Sequence, residues 1–121
     1  MEFPEQIQVK VISSPKVIEE FKSDWSAQSD QIQILSSGPE RNMSSYPFGL
    51  MEAAALVAIV QGGVYFVELG AKLFRYLKAN SNEGKKIIIQ TPLGRWEFVS
   101  RDDLTENEVK DVLKRLAGVN P

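Results

Sequence analysis

Four carboxylates crowd one short stretch near the C-terminus, Asp102, Asp103, Glu106 and Glu108. Such a cluster is where a hard divalent cation or a paired acid and base would sit. The spacing is not that of a calcium loop, and acids at the start of a helix complement its positive end, so helix capping accounts for them. Ser36, Ser37, Ser44 and Ser45 offer hydroxyls. No lysine follows any of them by three residues, and the chain holds no histidine that would activate one. Gln61, Gly62, Gly63 and Gly70 lack both a predicted preceding strand and the Lys-Ser/Thr ending of a phosphate loop. Glu68 is the carboxylate that would serve as a lone acid if it were buried in a cleft.

Two absences narrow the chemistry further. The chain has no Cys and no His, which removes disulfides, thiolate nucleophiles, the commonest general base and the commonest metal ligand. Trp96, Phe98 and Lys86 suggest an aromatic platform for nucleic acid, but at a net charge of -2 there is no basic stripe to support one, so the aromatics are expected in the core. The expectation is a non-enzymatic protein with no catalytic, cofactor or metal residues.

The elements that would position these residues follow from periodicity. The 121 residues suit a single domain that buries roughly 65% of its unfolded surface, and 43% hydrophobic with 25% charged residues places it among ordinary globular proteins. Ile7, Val9 and Val11 alternate as a strand over residues 6 to 13. Ser14 and Pro15 open a helix to residue 27 with Val17, Ile18, Phe21 and Trp25 at helical spacing. QIQIL, residues 31 to 35, alternates again, giving a parallel, right-handed βαβ unit. Residues 36 to 47 read as a long polar loop. KKIIIQ is a strand buried on both faces, and Thr91-Pro92-Leu93-Gly94 matches a type I turn that returns the chain as RWEFVS. Thr105 and Glu108 form a capping box for a last helix with the stripe Val109, Val112, Leu113 and Leu116, ion pairs Glu106 to Lys110 and Asp111 to Arg115, and Gly118 as its stop. The expected fold is α+β, in the order β-α-β-α-β-β-α, with a four-stranded mixed sheet.

Residues 48 to 79, opening FGLMEAAALVAIVQGGVYFVELG, read as one long apolar helix begun at Pro47. Roughly 30 residues would span about 45 Å, more than such a domain needs, so part should project or pair unless Gly62 and Gly63 break it. Ala54, Ala58 and Gly62 stand four apart and would admit a second helix closely, pointing to a homodimer with Lys72 and Arg75 nearby, or would simply pack on the domain's own sheet. The alternative is a membrane-associated component whose helix inserts, with Lys72, Arg75 and Lys78 on the cytoplasmic side. Against it, only residues 53 to 67 are uncharged between Glu52 and Glu68, short of the roughly 20 a span requires. MEFPEQIQ has no basic or apolar leader pattern, so the expected location is cytoplasmic.

The parts IQVKVI, the helix through Trp25, QIQIL, EAAALVAIVQGGVYFVELGAKLFRYL, IIIQTPLGRWEFV and the helix from Glu106 together resemble the effector-associated constant component family of bacterial conflict systems. The resemblance covers nearly the whole chain and carries no catalytic residue. It implies an adaptor that holds an assembly together through protein contacts, beside a peptidase or NTPase effector, without nucleic acid. Gln61 and Glu68 make the long segment more polar than is usual in that family, which counts against membrane insertion.

Overall fold

A computed structural model describes residues 5–27, 30–39, 54–79, 86–101 and 103–118. Among the described residues five strands and three helices succeed one another: β1 (Gln6–Ser13), α1 (Pro15–Ser26), β2 (Ile32–Pro39), β3 (Ala54–Gln61), α2 (Gly63–Ala79), β4 (Lys86–Thr91), β5 (Gly94–Val99) and α3 (Glu106–Leu116). The strands form one sheet in the order β2-β3-β1-β4-β5, with every neighbouring pair antiparallel.

The main correction to the sequence reading lies in residues 54 to 79. The described part of the expected long helix is two elements, a strand and a 17-residue helix, parted at Gly62 with φ +100°. The turn needs a left-handed backbone that would strain a residue with a side chain, so glycine supplies the junction from strand to helix. Ala, Leu and Gln favour helices in isolation, but β3 lies between β1 and β2 and gains ladder hydrogen bonds along both edges, which outweighs that preference. Residues 48 to 53 lie outside the described residues. Among the described residues no helix is long and apolar enough to cross a membrane.

Two further expectations change with β3. The sheet has five strands instead of four, and it is antiparallel instead of mixed. β1 and β2 run in the same direction, as a βαβ unit requires, but β3 is inserted between them. The loop expected over 36 to 47 begins later, because β2 continues through Pro39 after a bulge between Ile34 and Ser36. Residues 40 to 47 lie outside the described residues.

One sheet face carries the core. Ile7, Val9 and Val11 of β1 pair with Val60, Ala58 and Leu56 of β3, and Val11 also faces Ile89 of β4. The helices bring Val17, Ile18 and Trp25 from α1, Phe66, Leu73 and Leu77 from α2, and Val109, Leu113 and Leu116 from α3 into the same cluster. Full burial of each such side chain contributes about 1.5–3 kcal/mol. Ile12 and Ile88, opposed in register, point to the other face and are also buried, so the consecutive isoleucines of β4 are buried on both sides as KKIIIQ suggested.

Contacts between helices lock this layer. The Phe21 ring stacks on Trp25 at 6.1 Å and tilts against Tyr76 of α2 at 5.5 Å, while Asp24 pairs with Lys72 at 3.5 Å. Gly70 lets α2 approach α3, since a Cβ on it would lie 3.1 Å from both Leu113 Cδ1 and Lys110 Cγ.

Candidate interaction surface

The residues singled out for helix association do not share a helix. Ala54 and Ala58 sit on the core side of β3, where Ala58 is fully buried, and Gly62 forms the junction to α2. The strand pleat explains this: positions four apart lie on one face of a strand as they do on a helix, and here that face is the one covered by helices. Lys72 is on α2 in its ion pair with Asp24, and Arg75 is exposed on the same helix. The five residues therefore compose no common surface.

Other candidates resolve into structural roles. Glu68 is exposed on α2 and not buried in a cleft. A strand does precede Gly62 and Gly63, contrary to expectation, but the lysine and hydroxyl of a phosphate loop are missing from residues 61 to 70. Between α1, α2 and the sheet lies a cavity of about 30 Å³ lined by Val9, Phe21, Trp25, Phe66 and Leu73, room for little more than a water. Tyr65, beside this seam, has its phenol pushed up by burial and by the charges of Asp24 and Glu68.

The acidic stretch is organised by Arg101, which the sequence reading passed over. Its guanidinium bonds Asp103 at 2.7 Å and also pairs with Glu108. The hydrogen bond from Arg101, then its charge, hold the Asp103 carboxyl below its usual range, and the same bonds raise Arg101. Thr105 Oγ1 accepts from the Glu108 N–H at 3.2 Å, so half of the expected capping box forms while the Glu108 carboxylate is taken by Arg101. Glu106 pairs with Lys110 at 3.2 Å as expected, whereas Asp111 approaches Lys114 at 4.0 Å in place of the expected i,i+4 pair with Arg115. Among the described residues no group of three or more His, Cys, Asp or Glu is placed to hold a metal; Asp102 lies outside them.

Among the described residues the exposed large apolar side chains are Leu35 on β2, Val64 on α2 and three on the β4–β5 hairpin. Leu93 at the turn is 66% exposed, Trp96 48% and Val99 37%. Trp96 and Phe98 share a face as expected, but only Phe98 reaches the core, because β5 is the last strand and α3 covers one end of it. Trp96 thus belongs to the surface, lining a groove of about 230 Å³ with Phe98, Arg101, Leu104, Glu108 and Val112.

The hairpin is held rigidly. Thr91 Oγ1 donates to the Leu116 carbonyl at 2.7 Å, satisfying one of the carbonyls that the end of α3 leaves without an intrahelical partner, and accepts from the Leu93 N–H at 3.2 Å. Gly118, with φ +84°, ends α3 beneath the turn, and a Cβ on it would stand 2.8 Å from Leu93 Cδ1. Rigid aromatic and apolar side chains on a fixed edge cost little entropy to bury, which is what a contact surface requires.

Compared with protein-family models, curated proteins and solved structures, the chain matches none.

Proposed function

We propose that this protein is a non-enzymatic adaptor that self-associates as a homodimer and holds its assembly together by protein contacts, with the β4–β5 hairpin as its contact surface. The observation that carries the reading is an edge strand, pinned to α3, that exposes Trp96 on one face and Val99 on the other, with Leu93 exposed at the adjoining turn. Apolar and aromatic side chains set on a rigid edge resemble the anchors that dominate protein interfaces. The resemblance to bacterial conflict-system components supplies the setting: a cytoplasmic adaptor beside a peptidase or NTPase effector.

Light scattering coupled to size-exclusion chromatography at micromolar concentration tests it. The expected mass is twice that of the 13.6 kDa chain. A mass that stays at one chain over the whole concentration range would sink the reading.

A further inference from the structure

The two ends of the sheet are treated differently. β2 carries a bulge between Ile34 and Ser36 and ends at Pro39, which has no N–H to donate, and both devices discourage another strand from pairing there. β5 has neither: its register with β4 runs without a break from Gly94 to Val99, and it contains no proline. Among the described residues no backbone hydrogen bond reaches its outer side. Among the described residues this edge is open, and its register is unbroken.

Its hydrogen-bonding parity follows from the hairpin. Thr91 and Gly94 close a two-residue loop, and in an antiparallel ladder alternate residues turn their backbone groups to the neighbour. Gly94, Trp96 and Phe98 are thereby used by β4, and Arg95, Glu97 and Val99 aim their N–H and C=O groups outward. A second strand must match those odd-numbered positions with its own.

For two copies of β5 meeting about a twofold axis, a register centred on any residue satisfies that rule, and those centred on Trp96 or Glu97 overlap most of the six-residue strand. Centring on Arg95 sets arginine against arginine, and centring on Glu97 sets glutamate against glutamate, both unfavourable across strands. Centring on Trp96 sets Arg95 opposite Glu97 of the second copy and Glu97 opposite its Arg95. The same register brings the exposed Trp96 directly against Trp96 of the second copy, so the two rings cover one another. Arg95 already has an interaction within its own chain, and the cross-strand pair adds to it.

We infer that β5 is a self-complementary edge that pairs antiparallel with β5 of a second copy in the register centred on Trp96, joining two five-stranded sheets into one continuous ten-stranded sheet. The inference rests on the self-association proposed above and names its surface. The occupant is a second copy because the charge pattern Arg-Trp-Glu is its own complement under a twofold axis, and homodimers are closed by such axes.

Charge reversal tests the register. In sedimentation velocity, R95E and E97R each turn both cross-strand ion pairs into like-charge pairs and should weaken the dimer by about tenfold or more. The double variant R95E/E97R restores opposite charges and should return to wild-type association. A mixture of R95E with E97R should form a heterodimer while each alone is largely monomeric, which also shows that both variants are folded. A wild-type dimer that ignores both single reversals overturns this edge and leaves self-association standing. A single variant that weakens the dimer without rescue by the double variant or the mixture overturns the register. A wild-type monomer overturns both proposals.

Discussion

Arg101, Asp103 and Glu108 show how one side chain reassigns its neighbours. Asp103 is a depressed carboxyl, so it binds its proton less readily folded than unfolded. Its contribution is therefore complete above the ordinary carboxylate value of about 4 and is lost as pH falls through the lower folded value. Arg101→Met should lower stability near pH 7 and leave the acid limit unchanged, so the loss of stability on acidification becomes shallower, as measured by urea unfolding between pH 2.5 and 7. Ser100 makes the opposite case: its hydroxyl is buried without a hydrogen-bond partner among the described residues. Ser100→Ala removes a desolvated group that gains nothing in return, and should raise stability by about 1 kcal/mol in the same assay. Gly62 and Gly70 differ from each other in kind. At Gly62 there is space for a Cβ but φ is +100°, so Gly62→Ala should cost about 1 kcal/mol through the backbone alone. At Gly70 the backbone is helical and the neighbours are close, so Gly70→Leu should cost about 1–3 kcal/mol by forcing α2 from α3.

Among elements, the seam between the hairpin and α3 holds the candidate surface in place. Thr91 Oγ1 is the link, since it satisfies both a helix carbonyl and a turn N–H. Thr91→Val keeps the shape and removes both bonds, so it should cost about 1–3 kcal/mol and increase amide exchange at the turn and in the last turn of α3. Helices α1 and α3 and this hairpin were legible in sequence, because each declares itself locally. Pro15 with Val17, Ile18 and Trp25 marks α1, Thr105 with Val109 and Leu113 marks α3, and Thr91 to Gly94 marks the turn. β3 was not legible, because a strand buried on one face and half-buried on the other shows an unbroken apolar run that also suits a helix.

At the scale of the molecule, inserting β3 moves the interaction question from a helix to a strand edge. Ala58 is in the centre of the sheet, so Ala58→Leu should act as an overpacked core substitution, costing about 1–3 kcal/mol in unfolding experiments and leaving the subunit association constant unchanged. Substitution of Arg95 or Glu97 on β5 should do the reverse, altering association with little change in monomer stability. The arginine and glutamate flanking Trp96 were plain in the sequence, yet they carry no meaning until β5 is known to be the last strand. Trp96 itself was expected in the core because its face was known and its place in the sheet was not.

The sequence by itself determined an α+β chain, the positions of α1, α3, β1, β4 and β5, and, through its lack of histidine and cysteine, the chemistries for which it has no side chains. Those features depend on periods of two or 3.6 residues and on side-chain inventory, all contained in short windows. The tertiary structure decided that Ala54 to Gln61 is a strand, that β3 separates β1 from β2, and that β5 ends the sheet. These depend on pairing between residues far apart in the chain, such as Val9 with Ala58 and Val11 with Ile89, and the free energy of such contacts is not written in either segment alone.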